Sequence, residues 1–324
     1  MKYKLNCVIT VITILFLLSF KVFTVNAQSE KNALISQPGY YKIEIGDYEV
    51  TALSDGTCML DMSKLLLNAQ PGEVQKILEQ NVLNTTVETS INAYLIRHGE
   101  KLILVDAGCG TTMGNTLGLV TKSIRRAGYK PEQINAVLIT HLHIDHIGGL
   151  TQNGKMVFPN AILYINKHEA SFWLDSANLK KAPENAKQFF EPAVTAIAPY
   201  LKAGRVHLFE NGSQLFSGIS AQDAVGHTPG HTFYSLESKG DKMVFWGDLV
   251  HCGVVQFEDP AVSVGFDVDT AGAAMSRIKE FDKAAQAHYW IAAPHLSFPG
   301  IGHLRHAEKS YIWIPANYSI IRPK

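Results

Sequence analysis

The chain has 324 residues, of which 46% are hydrophobic, and its 29 basic and 29 acidic side chains give a formal net charge of zero. This length and composition allow one large two-layer core. The balanced charge, without any basic run, argues against a nucleic acid as substrate, because phosphate backbones require a clustered positive face.

The N-terminus has the pattern of a secretory signal peptide. Lys2 and Lys4 precede an apolar stretch over residues 7–20, and Val-Asn-Ala offers a cleavage site after Ala27. The apolar run before Lys21 is about 14 residues, shorter than the roughly 20 that a spanning helix needs, so a cleaved signal is favoured over a membrane anchor. We therefore predict a signal peptide over residues 1–27 and a secreted or periplasmic domain over residues 28–324, with no stable membrane insertion after cleavage.

The first half of the mature chain predicts hairpins and then alternating strands and helices. Residues 41–53 alternate around Gly46-Asp47, and residues 91–106 alternate around Gly99, as hairpin strands do. Further elements are expected at these positions: helices over 71–79, 117–127 and 167–174, and strands over 134–139 and 161–166. Residues 175–200 are polar and then amphipathic, which predicts a helical insertion over the site.

The second half repeats this order. Strands are expected over residues 206–209 and 219–225, a hairpin over 233–245, and a helix over 269–287 that begins at Asp269. Hairpins followed by strand–helix alternation, twice in one chain, predict two β-sheets packed face to face with helices outside. Neither a linker nor a sequence repeat marks a second domain.

The segment Thr-His-Leu-His-Ile-Asp-His-Ile-Gly-Gly, residues 140–149, carries four side chains of the types that bind metals. His141 and His143 are two residues apart, so both point to the same side of an extended chain. Asp145 and His146 follow where the chain turns, and they can face a second point nearby. Imidazole and carboxylate are ligands that zinc accepts, so this loop can begin two adjacent metal sites.

Three later segments supply further candidate ligands. Residues 226–232 place His227 and His231 around a Pro-Gly turn. Asp248 follows the apolar run 243–245, at the end of a predicted strand. His295 follows the apolar run 289–291 and Pro294.

This order of motifs resembles the metallo-β-lactamase-fold hydrolase superfamily over nearly the whole mature chain. The resemblance is closer to its methyl-parathion-hydrolase-like group, through residues 46–56, 158–161, 226–232, 247–249 and 298–303. It implies an α/β (α+β) fold of the αββα four-layer metallo-β-lactamase sandwich type.

The resemblance also implies a ligand set for two divalent metal ions. The first ion would be held by His141, His143 and His231, and the second by Asp145, His146 and His295. Asp248 would bridge both ions and, with Asp145, is the expected catalytic residue. His227 is then expected to support a ligand instead of binding metal. Zinc is the default ion, although iron, manganese or cobalt could occupy the same ligands.

The sequence predicts several supporting residues around this centre. Asp106 is expected either to orient a ligand histidine or to cap a turn. Trp173 and Phe298, and more weakly Phe172, are expected to form an apolar substrate pocket, and His303 to lie near the site by family position. The remaining histidines are expected at the surface or in packing: His98, His168, His207, His251, His288 and His306. Cys58, Cys109 and Cys252 form an odd set, which leaves at least one thiol unpaired, and their role stays open.

The predicted reaction is hydrolysis of a small uncharged ester, lactone or phosphotriester by a water activated between the two ions. A β-lactamase is the first alternative, and Asp248 counts against it because class B enzymes generally lack that carboxylate. A glyoxalase-II-like thioesterase is the second, although Ile144 stands where that family carries a further histidine. A metal-binding protein without catalysis is the non-enzymatic alternative, and analogy alone leaves a homodimer open.

Overall fold

The computed structural model describes residues 37–320. The predicted signal peptide over residues 1–27 and its cleavage site lie outside them. Within residues 37–320, none of the helices combines the length and apolarity that crossing a bilayer would require. The three cysteines in this part of the chain, Cys58, Cys109 and Cys252, are free thiols.

Strands over residues 37–320 are numbered here in chain order. They are β1 (Tyr40–Ile45), β2 (Tyr48–Asp61), β3 (Leu66–Leu67), β4 (Thr86–His98), β5 (Lys101–Val105), β6 (Ala136–Leu138), β7 (Thr151–Gln152), β8 (Lys155–Met156), β9 (Ile162–Asn166), β10 (Val206–Phe209), β11 (Gln214–Phe216), β12 (Ile219–Asp223), β13 (Thr232–Ser238), β14 (Asp241–Phe245), β15 (Ser263–Val264), β16 (Trp290–Ala292), β17 (Ile301–Ala307) and β18 (Ser310–Pro315).

The α-helices of the described residues are numbered in the same way. They are α1 (Met62–Leu65), α2 (Glu73–Gln80), α3 (Val120–Arg126), α4 (Ile144–Ile147), α5 (Lys167–Trp173), α6 (Ser176–Lys181), α7 (Glu184–Lys187), α8 (Phe190–Lys202), α9 (Gly253–Gln256) and α10 (Thr270–Ala287).

Two seven-stranded sheets form the centre of the molecule. The first has the order β1-β2-β4-β5-β6-β9-β10, and the second has the order β11-β12-β13-β14-β16-β17-β18. Hairpin pairs are antiparallel, while β5, β6, β9 and β10 run parallel to one another, and β14 runs parallel to β16. The parallel pairs correspond to the places where a helix or a long segment separates two strands along the chain.

The alternation of side chains along each strand builds the layers. In β4, Tyr94 and Ile96 belong to the core between the two sheets, together with Tyr234 and Phe245 of the second sheet. The intervening Leu95 points to the opposite face and packs in the core that contains α8. This period-2 division makes both faces of the first sheet apolar, so that each face needs a covering layer.

Helix α10 covers the outer face of the second sheet. Asp269 caps the helix by accepting a hydrogen bond from the Gly272 N–H at 3.0 Å. Phe281 and Ala284 then pack against Val244 and Ile291. The structure therefore confirms the predicted αββα sandwich.

The C-terminal hairpin of β17 and β18 was not among the predicted elements. Strand β17 carries His303, Arg305 and His306, and the last two of these side chains are exposed. Most side chains of β18 are exposed or half-buried. Because this pair forms the edge of its sheet, the alternation of apolar and polar residues is weak, and the sequence pattern does not reveal it.

Candidate metal centre

The predicted histidine loop lies where β6 ends and α4 begins. Thr140 follows β6, and its backbone N–H donates to Asp106 Oδ1 at 2.8 Å. His141 and His143 come next in extended backbone, and α4 then turns Asp145 and His146 toward the same space. The three histidine side chains of this loop are buried.

The first ligand group consists of His141, His143, His227 and Asp248. His227 Nε2 lies 3.2 Å from His141 Nε2 and 3.0 Å from His143 Nδ1. It also lies 3.3 Å from Asp248 Oδ2. Three ring nitrogens and one carboxylate oxygen therefore converge on one point.

The second ligand group consists of Asp145, His146, Asp248 and His295. Asp248 Oδ1 lies 3.0 Å from His146 Nε2 and 3.1 Å from His295 Nε2. Asp145 Oδ2 lies 3.3 Å from His146 Nε2 and 3.5 Å from His295 Nε2. Asp248 is the one residue common to both groups, so its carboxylate lies between them.

The chemistry of these atoms fits two divalent cations. Ligand nitrogens at about 2.0 Å from a tetrahedral zinc lie about 3.3 Å from one another, close to the separations seen here. His146 Nε2 and Asp248 Oδ1 are buried and, although only 3.0 Å apart, lack the angles of a hydrogen bond with each other or with any other described residue. Unpartnered buried acceptors are costly, and a cation placed between them removes that cost.

The structure reverses the predicted roles of His227 and His231. His231 Nδ1–H donates to the Ala224 carbonyl at 3.0 Å, and its Nε2 accepts from the Asp248 N–H at 3.0 Å. Both nitrogens are thus occupied by backbone, and His231 was wrongly predicted as a metal ligand. It holds the peptide of Asp248 in place, while His227 takes the ligand position.

Glycine at position 247 permits this close approach. Gly247 has φ +51°, and a Cβ there would lie 2.4 Å from His231 Nε2. Sequence alone leaves either histidine of the Pro-Gly turn available as a ligand. The signal that identifies His227 is a distant carboxylate, Asp267, whose Oδ1 accepts from His227 Nδ1 at 2.8 Å.

Three of the ligand histidines, His227, His146 and His295, are oriented through their second nitrogen. His146 Nδ1–H donates to Asp106 Oδ2 at 2.8 Å, and His295 Nδ1–H donates to the Ser90 carbonyl at 3.2 Å. Asp106 adopts φ +59°, which is uncommon for a residue with a side chain. Asp106 and Asp267 thus perform matching tasks for the second and the first ligand group.

Burial and neighbouring charges set the protonation of the site. Burial holds the pKa of His141 and His143 well below 6.5, so both rings are neutral and ready to bind metal. Burial opposes ionisation of Asp248, yet the surrounding histidines hold its pKa well below 3.8. Burial also opposes protonation of His227, but Asp248 and Asp267 raise its pKa to about 9.

His251 is a site residue that the sequence interpretation missed. It was expected at the surface or in packing, but it is buried and its Nε2 lies 3.1 Å from Asp248 Oδ2. Its ring stacks on that of His295 with centroids 5.0 Å apart. The available signal was its position three residues after Asp248.

The predicted aromatic residues have different surroundings. Trp173 is 2% exposed and packs with Phe190 in the core, with its ring centroid 5.4 Å from that of His143. Phe172 packs on the same tryptophan at 4.9 Å. Phe189, which directly precedes α8, also contacts His143, with ring centroids 5.2 Å apart. Phe298 is 36% exposed, and its N–H donates to Ser90 Oγ at 3.3 Å.

His303 lies away from the centre, so its predicted place near the site is wrong. Its Nδ1 lies 3.1 Å from the carbonyl of Tyr289, which precedes β16, whereas His295 follows the other end of that strand. Its ring packs on Trp290 with centroids 3.9 Å apart. The tight turn after Phe298 reverses the chain and carries His303 back along the sheet.

Comparisons with known proteins agree with this geometry. The model of the metallo-beta-lactamase superfamily matches residues 86–294. The solved structure of the hydrolase AbOPH of the beta lactamase superfamily is 40% identical, with a TM-score of 0.84 over 88% of this chain and 99% of that chain. AidC, a dizinc quorum-quenching lactonase in complex with the product N-hexanoyl-L-homoserine, is 29% identical, with a TM-score of 0.80 over 87% and 98%. An N-acyl homoserine lactonase of Bacillus cereus is 27% identical over 69% of this chain and 84% of its own length.

Proposed function

Because the chain belongs to the metallo-β-lactamase superfamily, we propose that it is a dinuclear zinc hydrolase that opens the ring of N-acyl homoserine lactones. The similarity to a dizinc lactonase and to bacterial N-acyl homoserine lactonases supports this substrate class. Aryl esters and phosphotriesters are proposed as secondary substrates, since the same chemistry acts on any electrophilic centre with a good leaving group.

One observation carries the proposal: Asp248 is shared by two groups of metal-ligand side chains. All ligand atoms within each group lie within 4.8 Å of one another. A carboxylate common to both groups would hold two cations close to each other, as two-metal hydrolytic sites require. A single structural zinc would need only one such group.

Two divalent ions bound here would supply a water of lowered pKa and a Lewis acid for the lactone carbonyl. The chain itself keeps both centres in register through Asp248, and His231 fixes the Asp248 peptide. Asp145 is 17% exposed and is the most accessible carboxylate of the two groups. Burial opposes ionisation of Asp145, but neighbouring histidines hold its pKa low, so its carboxylate is charged at neutral pH and suited to hold a cation.

The test is turnover by the purified protein of a panel that covers every candidate reaction. The panel contains N-hexanoyl-L-homoserine lactone, p-nitrophenyl acetate, paraoxon, an acyl thioester and nitrocefin. We expect the lactone to give the highest kcat/KM and Asp248→Ala to abolish it, while His303→Ala leaves it unchanged. Nitrocefin or the thioester as the sole substrate would overturn the proposal.

We also propose that residues 1–27 direct export and are removed. The expectation is tested by expressing the full chain and sequencing the N-terminus of the protein recovered outside the inner membrane. A chain beginning at Gln28 is expected. An intact N-terminus retained with the membrane fraction would show an anchor instead.

A further inference from the structure

A charged side chain lies on the buried face of α10. Arg277 is 0% exposed and stands in a row with Ala273, Phe281 and Ala284, which are apolar and buried. A fully buried arginine is rare unless its charge is compensated and its N–H groups find acceptors. Arg277 therefore meets a need that an apolar residue at the same helix position could not meet.

The partners of Arg277 in the described chain belong to the segment from Leu249 to Asp267, which lies between β14 and α10. Arg277 Nε–H donates to the Leu249 carbonyl at 2.7 Å. Its Nη1–H groups donate to the carbonyls of Pro260 at 2.9 Å and Val262 at 2.7 Å. Its Nη2 lies 3.9 Å from Asp267 Oδ2, and the Asp267 side chain is also 0% exposed. One guanidinium thus holds the beginning, the middle and the end of this connecting segment.

Both ends of the connecting segment lead to the metal centre. Leu249 follows Asp248, the carboxylate shared by the two ligand groups. Asp267 Oδ1 accepts from His227 Nδ1–H at 2.8 Å, which directs His227 Nε2 at the first ligand group. A histidine that binds a metal ion is neutral, which leaves Arg277 as the charged side chain paired with buried Asp267 in the described residues.

We propose that Arg277 is a positioning residue of the metal centre. Through Leu249 it fixes the peptide that follows Asp248, and through Asp267 it fixes the ring of His227. This inference rests on the proposed function, because it concerns the two-metal centre of that same enzyme. The planar guanidinium suits the task, since its N–H groups reach several acceptors in fixed directions. An apolar side chain would leave three carbonyls and a buried carboxylate without this partner.

Helix α10 also supplies a matched control. Glu280 is 2% exposed and lies about one turn after Arg277. Its hydrogen bonds, from Tyr289 Oη–H at 2.6 Å and from Lys283 Nζ at 3.3 Å, lie outside the connecting segment. Glu280→Gln therefore disturbs a buried charge of the same helix without removing a contact to the segment. Arg277→Met removes the charge and the donors, and Arg277→Lys, which keeps the charge without the planar fork, serves should Arg277→Met fail to fold.

The experiment is stepwise zinc binding to chelator-treated protein, measured in competition with a chromophoric chelator. His227→Ala identifies the dissociation constant of the first ligand group, because this variant lacks that step. We expect Arg277→Met to raise this constant about 10- to 100-fold, and Arg277→Lys to raise it about 10-fold. The constant of the second group should rise no more than about threefold, since His231 still holds the Asp248 peptide. Glu280→Gln should change both constants less than about twofold, even where it lowers the melting temperature.

A double-mutant cycle separates positioning from a general loss of stability. If Arg277 acts on the first group through Asp267, adding Arg277→Met to Asp267→Asn should change the first dissociation constant by less than about threefold. Glu280→Gln combined with Asp267→Asn should instead give the product of the two single effects. Zinc binding needs no substrate, so these values do not depend on turnover.

The opposing results are equally specific. Equal weakening of both zinc steps by Arg277→Met, or the same selective loss in Glu280→Gln, would overturn the assignment. So would effects of Arg277→Met and Asp267→Asn that multiply at the first group. If the wild type binds two zinc ions and Arg277→Met selectively loses the first, but no lactone is opened, the role of Arg277 stands and the lactonase proposal falls. A wild type that binds a single zinc ion would refute both.

Discussion

At the scale of single residues, the centre depends on which nitrogen of each histidine is left free. His227 gives Nδ1–H to Asp267 and directs Nε2 at His141 and His143. His231 has no free nitrogen, because backbone groups hold both Nδ1 and Nε2. Two histidines four residues apart therefore have different functions, and substitutions should separate them.

Replacing each histidine of the Pro-Gly turn should give opposite results in metal analysis. His227→Ala removes a ligand, so we expect one metal per chain instead of two and loss of lactone turnover. His231→Ala should retain two metals but lower the free energy of unfolding by about 2 kcal/mol, because the buried Asp248 N–H loses its acceptor. Two metals in His227→Ala and one in His231→Ala would restore the ligand assignment predicted from the sequence.

The orienting carboxylates give a second prediction. Asp267→Asn should weaken metal binding by about 10- to 100-fold at the His227 group, because the amide no longer fixes the His227 tautomer. Asp106→Asn should weaken the other group, which contains His146. Competition with a chromophoric chelator measures both affinities. Equal loss at both sites in either variant would indicate general unfolding instead of orientation.

The raised pKa of His227 has a measurable consequence at pH 7. In metal-free protein this ring is protonated, since its pKa of about 9 lies above the solution pH. A cation must displace that proton, so the apparent affinity should fall as the pH is lowered. Zinc added to chelator-treated protein at pH 7 in a pH-stat should release protons, and fewer should be released at pH 9.5. Equal release at both pH values would contradict the assignment of this proton.

At the scale of elements, Glu169 of α5 joins the two histidine loops. Its buried carboxylate accepts hydrogen bonds from Leu142 N–H at 2.8 Å, Thr228 Oγ1–H at 2.7 Å and Gly230 N–H at 2.8 Å. Leu142 lies between His141 and His143, and Thr228 follows His227. One side chain thus sets the spacing of three ligands that come from two separate loops.

Removing this carboxylate should weaken both the fold and the centre. Glu169→Ala leaves three buried donors without an acceptor, so we expect a loss of about 3 kcal/mol in the free energy of unfolding. Metal affinity should fall with it, because the loops are no longer tied. Thermal unfolding with and without zinc measures both effects. Stability and affinity equal to those of the wild type would show that the loops are held in other ways.

Some of the residues that build the centre could be predicted from the sequence, and others could not. Asp106, Asp145 and His146 were predictable because local spacing after a buried strand places them at one sheet edge. The contact of Asp106 with His146 also crosses 40 residues, but Asp106 follows the strand next to the one that leads to His146. Asp267 and Glu169 were not predictable, since no such strand order brings them to partners 40 and 59 residues away. Short-range patterns locate ligands, whereas the residues that orient them are brought together only by the packed sheets.

At the scale of the whole molecule, the sandwich brings loops from both sheets to one edge. Asp106 and His141 follow strands of the first sheet, while Asp248 and His295 follow strands of the second. The core between the two sheets fixes the distance between the two sets of loops. Within it, the ring centroids of Tyr94 and Phe245 lie 5.6 Å apart. The layer order was predictable from alternation and strand–helix order, but the edge hairpin of β17 and β18 was not.

The most direct measurement is the metal content per chain of the wild type and of Asp248→Asn, determined side by side by elemental analysis after zinc loading. Two ligand groups that share Asp248 predict two zinc ions in the wild type and at most one in the variant. Two ions in both proteins would show that Asp248 is not the shared ligand, and one ion in the wild type would contradict a dinuclear centre.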